Sequence, residues 1–276
     1  MASIAVPSEL ALELPGADRA APTFVADYPL AFVIPAYNEE DNVPRLFADL
    51  EGRPWLFRNP GCRVIIVDDG SSDRTPELVD DYSGALPVEL VRLKENQGPG
   101  AAFRAGFERA LEGTEDEAFI VTLEADTTSD LDALTPMLAE ASAGAELVLA
   151  SWTMVNVSRK RKLLSAGAAY VFRQTLGIEA QTVSSFFRVY RASVLRRSFA
   201  HYGADLMRER GFACKAELLA NMARLGAKIA EVPVHLDSDR RIGKSKMPVF
   251  RTIVAYMRML ARQRRDRSNE LIGDVV

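Results

Sequence analysis

Three apolar runs that each end in acidic or polar residues are the feature that most constrains the fold of this chain. They span residues 30–37, 63–67 and 118–123, and they lead into the stretches NEE, DDGSSD and EAD. Short apolar runs bounded by polar residues are typical of buried strands. Because parallel strands place their carboxyl ends along one edge of a sheet, we expect the acids of all three runs to meet in one crevice.

Alternating strand and helix patterns continue on both sides of these runs. Further strands are predicted at 88–93, 146–150, 186–190 and 228–234, and helices at 39–50, from 75, 101–111, 131–143, 162–176, 213–225 and 249–262. Regular alternation in the first half predicts an α/β fold, with a mostly parallel sheet flanked by helices. The second half is less regular and predicts a smaller α+β portion.

The two ends of the chain differ from its middle. Residues 1–28 are rich in Ala and Pro and are interpreted as a loose arm before a domain at 29–248. The final segment, 249–276, begins with a helix whose apolar face comprises Phe250, Ile253, Val254, Met257 and Leu260. Core packing is the preferred interpretation of that face, and contact with an anionic membrane or a homodimer partner are the alternatives.

Composition narrows the class of protein. A net charge of −4 gives no general argument for binding of nucleic acid. The two cysteines are far apart in the sequence, which predicts reduced thiols in a cytoplasmic protein. No apolar segment approaches the roughly 18 residues of a membrane span. The N-terminus lacks the basic region of a signal peptide. A cytoplasmic enzyme, in peripheral contact with a membrane at most, is the expected class.

The EAD stretch predicts a divalent metal site. Asp126 is the favoured ligand for Mg²⁺ or Mn²⁺, and Glu124 would bind directly or through water. A cation there would neutralise charge on a diphosphate leaving group. The alternative is an acidic turn before a helix.

Asp68 and Asp69 leave their strand where carboxylates can accept hydrogen bonds from a base N–H and a ribose hydroxyl. The alternative for DDGSSD is a turn followed by a helix cap at Asp73. Gly98 belongs to a GPG stretch that lacks the spacing of a P-loop, and a tight turn is its simplest interpretation.

Two basic clusters predict an anion clamp. One is RRIGKSK at residues 240–246, and the other is RKRK at 159–162, where Arg161 and Ser165 lie one helical turn apart. A solvated loop and a nucleic-acid patch are the alternatives. The acidic net charge and the lack of interleaved aromatic residues disfavour nucleic acid.

Together these motifs resemble glycosyltransferase family 2, and within it the dolichyl-phosphate mannose synthase-like branch. The resemblance spans about Pro29 to Pro248 and adds FRVY at 187–190 and EVP at 231–233 to the stretches above. It implies a GT-A fold, a UDP- or GDP-linked sugar donor, a divalent metal, inversion at the anomeric carbon and a polyprenyl phosphate acceptor. It also implies a nucleotide-binding half at about 29–152 and an acceptor half at about 153–248.

The resemblance assigns roles by position. The nucleoside pocket would contain Pro35, Tyr37, Glu39, Asp68, Asp69 and Gly98, the metal would lie on Glu124 and Asp126, and phosphate groups would bind Arg161, Ser165, Arg241 and Lys244. A phosphate acceptor is already anionic and needs no strong base, whereas a hydroxyl acceptor would need one. Glu217 is then the first candidate for that base and Asp205 the second.

Several positions depart from the branch pattern. Glu124 stands where Asp is usual, and Trp152 and Phe186 replace smaller residues on the expected acceptor side. These departures keep two further hypotheses open. One is a glycosyltransferase of specialised metabolism with a small-molecule acceptor, and the other is an inactive nucleotide-sugar-binding protein.

Overall fold

A seven-stranded sheet forms the centre of the molecule. The computed structural model describes residues 28–57, 61–153, 182–183, 185–235, 242 and 248–273, without the side chains at 152–153, 235, 249 and 267–273. The predicted arm up to residue 27 and the predicted helix at 162–176 lie outside these ranges.

The sheet is mostly parallel, as predicted. Its strands are β1 (Leu30–Ala36), β2 (Arg63–Asp68), β3 (Val88–Arg92), β4 (Phe119–Thr122), β5 (Leu147–Thr153), β6 (Arg188–Arg191) and β7 (Ile229–His235). Their spatial order is β3-β2-β1-β4-β6-β5-β7. Strand β6 runs antiparallel to both β4 and β5, and the other neighbouring pairs are parallel.

Helices connect the strands. They are α1 (Val43–Glu51), α2 (Thr75–Asp80), α3 (Pro99–Leu111), α4 (Leu134–Ser142), α5 (Ala192–Tyr202), α6 (Cys214–Arg224) and α7 (Val249–Gly273). Helix α1 begins four residues later than predicted, because Glu39 to Asn42 form a turn in which the N–H groups of Asn42 and Val43 both donate to the Glu39 carbonyl. Helix α5 was not predicted.

Apolar side chains cover both faces of the sheet. Alternation along β1 sends Phe32 and Ile34 to one face, where Leu46 of α1 and Met137 of α4 pack, and Val33 to the other. Helices α3, α5 and α6 cover that second face. This two-sided burial explains why the strands are near-continuous apolar runs.

Helix α3 lies very close to the sheet at Gly106. A Cβ atom there would come within 2.3 Å of Val33 Cγ1 and 3.0 Å of Val67 Cγ2. Glycine at this position therefore lets the helix that follows the GPG stretch dock directly on β1 and β2.

Helix α7 differs from its prediction. Phe250, Ile253, Val254 and Met257 were assigned to a core-facing stripe, but they are 79%, 52%, 40% and 62% exposed. Of the predicted apolar face only Leu260 is buried, at 7% exposure. The core-packing interpretation is therefore wrong for four of the five residues. Among the described helices, none has the length and apolar content needed to cross a membrane.

Candidate active site

The candidate site lies where the strand order changes direction. Strands β2 and β3 follow β1 on one side, and the chain then returns to place β4 on the other side of β1. In open α/β sheets, ligands bind beyond the carboxyl ends of the strands at such a point. Strand β1 leads here to Tyr37 and Glu39, and β4 leads to Glu124 and Asp126.

Asp126 is held in a fixed orientation at the end of β4. It is 7% exposed, and its Oδ1 accepts hydrogen bonds from the Thr128 N–H at 3.1 Å and the Thr128 hydroxyl at 2.7 Å. Thr127 between them has a φ of 60°, so the backbone turns sharply here. Glu124, two residues earlier, is half-buried.

These two carboxylates fit a hard divalent cation in their donor chemistry. Mg²⁺ and Mn²⁺ prefer carboxylate oxygens, and Mg²⁺ usually takes only one or two carboxylates from a protein. In the described ranges, no three His, Cys, Asp or Glu side chains cluster as a complete metal site. Glu124 and Asp126 remain the predicted metal ligands, and carboxylates are the donors that such a cation takes from a protein.

The loops after β1 and β2 interlock beside this pair. The Asn38 N–H donates to Ser71 Oγ at 2.9 Å, and the Ser72 N–H donates to Asn38 Oδ1 at 2.8 Å. Asn38 has a φ of 52°, which asparagine tolerates better than most residues. Asp73 Oδ1 accepts from the Thr75 N–H at 3.0 Å. The N-cap residue of α2 is Arg74, which makes no side-chain cap hydrogen bond, so the predicted cap at Asp73 lies one residue too early.

Asp68 and Asp69 lie at the end of β2, and both are 4% exposed. Asp68 Oδ1 accepts from the Ser71 N–H at 3.1 Å. The two oxygens of Asp69 accept from the Gln97 and Gly98 N–H groups, each at 2.8 Å. Burial raises the pKa of Asp69, the two backbone N–H groups oppose that shift, and the Asp68 charge adds to it. Asp69 therefore fixes the loop that begins α3.

That loop lies against the segment that precedes α6. Gly98 has a φ of 90°, and a Cβ there would approach the Arg210 carbonyl oxygen to 2.6 Å. A Cβ on Gly100 would approach the Glu209 carbonyl oxygen to 2.2 Å, and the Gly100 N–H donates to the Arg210 carbonyl at 2.8 Å. Both glycines thus permit a direct backbone contact between the two halves of the chain.

Glu39 and the basic segment meet at Asn42. The Asn42 amide donates to Glu39 Oε2 at 2.6 Å and exchanges two hydrogen bonds of 3.3 Å with the backbone of Ile242. This contact brings part of the segment 240–246 to the start of α1. Pro35 and Tyr37, at the end of β1, are half-buried. The other predicted anion-binding residues, Arg161, Ser165, Arg241 and Lys244, lie outside the described residues, as does the Trp152 side chain.

Phe186, which was predicted to lie on the acceptor side, is part of the core. It is 5% exposed, and its ring centroid lies 4.7 Å from that of Phe103 in a stacked arrangement. The ammonium of Lys215 lies over this ring, 3.9 Å from the Phe186 centroid. It lies 5.6 Å from the centroid of the Phe212 ring. Such contacts stabilise a cation through the negative face of the ring.

Lys215 is a buried site residue that the sequence motifs did not indicate. Burial lowers its pKa to about 8, and the negative charge of Glu124 opposes the shift. A lysine inside the apolar stretch FACKAELL, on a predicted helix, was the available signal. Lys215 places a buried positive charge in the electrostatic field of one proposed metal ligand.

Arg188 of the FRVY motif has a structural role. It is 1% exposed and donates to the Lys215 carbonyl at 2.8 Å and the Val183 carbonyl at 3.2 Å. It therefore joins β6 to the first turn of α6, which carries Lys215.

Glu217 lies in a buried ionic network. Its side chain is 1% exposed; Oε1 accepts from Arg262 of α7 at 2.5 Å and Oε2 from the Glu209 N–H at 2.7 Å. Burial raises its pKa, which the Glu209 N–H and Arg262 oppose. Asp205 is exposed and pairs with Arg208 at 2.6 Å. Both acids line a polar cavity of about 190 Å³.

Comparisons with known proteins agree on one family. The family model described as Glycosyl transferase family 2 matches residues 31–199. The chain is 31% identical over 221 residues to an undecaprenyl-phosphate mannosyltransferase of Micrococcus luteus, covering 78% of this chain and 86% of the relative. It is 28% identical over 222 residues to a polyprenol monophosphomannose synthase of Mycolicibacterium smegmatis, covering 78% and 79%.

A solved structure shows the same fold. Glucosyl-3-phosphoglycerate synthase from Mycobacterium tuberculosis, crystallised with Mn²⁺, uridine diphosphate and phosphoglyceric acid, superposes with a TM-score of 0.62 at 18% identity. The match covers 87% of this chain and 80% of the other. At this identity the likeness concerns the GT-A fold.

Proposed function

Since the chain belongs to glycosyltransferase family 2 and is a glycosyltransferase, we propose that it moves a hexosyl group from a nucleoside diphosphate sugar to a polyprenyl phosphate, with inversion at the anomeric carbon. The observation that carries the proposal is the oriented Asp126 carboxylate at the switch point between β1 and β4. Two relatives support the acceptor class by their names, undecaprenyl-phosphate mannosyltransferase and polyprenol monophosphomannose synthase.

The donor would bind over the interlocked loops after β1 and β2. Pro35, Tyr37 and Glu39 would border the nucleoside on one side, and Asp68 and Asp69 on the other. The buried carboxylate of Asp69 already orders the loop at Gly98, so it would act on the nucleotide partly by shaping the pocket. UDP and GDP are the expected carriers.

Glu124 and Asp126 would hold Mg²⁺ or Mn²⁺. When bound there, the cation would supply positive charge to the diphosphate leaving group. The hydrogen bonds from Thr128 hold Asp126 before any ligand arrives, which reduces the reorganisation needed on binding.

In the proposed reaction a phosphate oxygen of the acceptor forms the new bond to the anomeric carbon, while the bond from that carbon to the diphosphate oxygen breaks. The nucleoside diphosphate leaves with the bonding electron pair. Arg161, Ser165, Arg241 and Lys244 would bind acceptor or donor phosphate. The Asn42–Ile242 contact supports a place beside the crevice for the segment that holds Arg241 and Lys244. A phosphate nucleophile is anionic near pH 7 and needs no general base.

The environment of Glu217 favours this acceptor over a hydroxyl. A general base must reach the acceptor proton, but both oxygens of Glu217 accept hydrogen bonds inside the protein, one of them from Arg262. The burial of Phe186 also weakens the case for a small-molecule acceptor, since its ring packs on Phe103. Trp152 is then the remaining sequence departure that favours the small-molecule hypothesis.

The first test is thermal stabilisation by UDP, GDP, dTDP and CDP, each with and without Mn²⁺ or Mg²⁺. A ligand at about 100 times its dissociation constant stabilises the folded state by about 2.7 kcal/mol. We expect one diphosphate to stabilise the protein only with metal. Asp126→Asn should abolish the effect, and Asp132→Asn, a change of an exposed acid nearby, should preserve it.

Turnover is tested next with the matching nucleotide sugars and a short-chain prenyl phosphate. The corresponding prenol is the control acceptor, because it lacks the phosphate nucleophile. Transfer to the phosphate alone supports the proposal. Donor binding without transfer to any acceptor, and without donor hydrolysis, would support the inactive binding protein instead.

A further inference from the structure

The first half of α7 presents an apolar stripe to solvent. Phe250, Ile253, Val254 and Met257 recur at the spacing of one helical face, with exposed fractions of 79%, 52%, 40% and 62%. Among described residues, the large hydrophobic side chains that are exposed comprise these four and Ile242, at 46%. The exposed apolar residues of the described chain are therefore concentrated in and just before this helix.

The opposite face of α7 is firmly attached to the protein. Thr252, Met259 and Gln263 are buried, and the Gln263 amide donates to Asn221 Oδ1 at 2.8 Å. Arg262 is bound by Glu209 and Glu217. Because these contacts fix the rotation of the helix, the stripe faces outward as a consequence of the fold.

Positive charge accompanies the stripe. Residues 249–265 contain five arginines and no acidic residue. Arg251 and Arg258 are exposed and lie seven residues apart, along one edge of the stripe. An apolar stripe edged by arginine is complementary to a surface with apolar depth and anionic headgroups.

We propose that the first half of α7 lies in the interface of a bilayer that contains anionic lipid. The stripe enters the boundary between headgroups and acyl chains, and Arg251 and Arg258 bind lipid phosphates. The membrane contact rests on the proposed function and adds to it. A polyprenyl phosphate acceptor is held in a bilayer, so an enzyme that uses it must reach the bilayer surface. The helix reaches the membrane surface without crossing it.

A second copy of the chain fits the stripe less well. In a two-fold dimer the same face meets itself, and when the two helices pair antiparallel the arginines along its edge approach those of the partner. Like charges brought together at an interface oppose association. The charge pattern therefore favours an anionic lipid surface.

The test measures flotation of the full chain with vesicles of phosphatidylcholine alone and with a third phosphatidylglycerol, at 0.1 M salt. We expect at least tenfold tighter binding to the anionic vesicles. The double variant Phe250→Ser with Met257→Ser should lose at least tenfold of that binding. Arg251→Gln with Arg258→Gln should remove most of the preference for anionic lipid, whereas Arg74→Gln with Arg92→Gln, the same charge change on exposed arginines elsewhere, should preserve it.

Two results would overturn the inference. One is equal binding of wild type and the Phe250/Met257 variant to anionic vesicles. The other is a wild-type dimer in lipid-free sedimentation that this variant converts to monomer, because a second copy would then cover the stripe. Unchanged melting temperature checks that the variant is folded. Transfer to a water-soluble prenyl phosphate tests the proposed function separately, since that reaction needs no membrane and the variant should retain it.

Discussion

Asp69 shows how one side chain near the site serves the fold and the ligand together. Its two oxygens accept backbone hydrogen bonds from Gln97 and Gly98, which lie 28 and 29 residues away in sequence. Because hydrogen bonds to a charged group contribute about 1.5–3 kcal/mol each, Asp69→Ala should lower the free energy of unfolding by about 3 kcal/mol. Urea denaturation measures this. Asp81→Ala, an exposed acid after α2, is the control and should change stability little.

Lys215 should make the free energy of unfolding depend on pH. Burial lowers its pKa in the folded protein to about 8 from an ordinary 10.5. Between these values the unfolded chain holds a proton that the folded protein has released, so wild-type stability rises with pH through this window. Lys215→Met keeps the apolar stem but cannot titrate.

The measurement compares urea denaturation of wild type and Lys215→Met at pH 7.5, 8.5 and 9.5. The free energy of unfolding of wild type should rise relative to the variant, by about 1.4 kcal/mol for each pH unit fully inside the window. A difference that stays constant over this range would show that the ammonium is not desolvated as the Phe186 and Phe212 contacts indicate.

At the scale of elements, the contact between the first turn of α3 and the segment before α6 depends on glycine. Gly100→Ala would place Cβ 2.2 Å from the Glu209 carbonyl oxygen, so backbone must move. We expect a loss of about 1–3 kcal/mol in unfolding free energy, the range for local backbone strain, together with weaker nucleotide binding. Gly211→Ala is a matched control, since nothing lies within 4 Å of its Cβ. Equal stability of the two variants would contradict the tight contact.

Sequence patterns predicted the first five strands, because buried parallel strands are apolar along their length. They also predicted one shared edge for the acids that follow β1, β2 and β4. They did not indicate that β6 runs antiparallel, since the side-chain period of a strand carries no direction. The apolar period of α7 was visible, but it identified a face and not what covers it. The face that packs inward includes two polar residues, Thr252, whose hydroxyl donates to the Pro248 carbonyl, and Gln263, whose amide N–H donates to Asn221 Oδ1.

The predicted site residues divide in the same way. Asp68, Asp69 and Asp126 follow strands of one sheet, so their shared edge could be inferred from the alternation of elements. The partners of Glu217 and Lys215 could not be inferred in this way. Arg262, the partner of Glu217, lies 45 residues away, and Phe186, the partner of Lys215, lies outside α6. Such pairings depend on tertiary packing, which leaves no local period in the sequence.

At the scale of the whole molecule, the described parts of the two halves share one sheet and one core. Strand β6 lies between β4 and β5, and the core on the first face includes residues from Phe32 in β1 to Val232 in β7. Because of this shared sheet and core, the two halves should unfold together as one cooperative unit.

The two tryptophans of the chain allow this to be measured. Trp55 packs against the first core beside α1, and Trp152 lies in β5 opposite Val234 of β7. In Trp152→Phe the remaining Trp55 reports unfolding of the nucleotide-binding half. In Trp55→Phe the remaining Trp152 reports unfolding of β5, at the border of the other half. We expect the stabilisation that each variant gains from nucleotide and metal to be equal, since a ligand bound to one cooperative unit stabilises all of it. A ligand-induced shift seen with Trp55 alone would mean that the halves unfold separately and that the sheet does not transmit donor binding to the acceptor side.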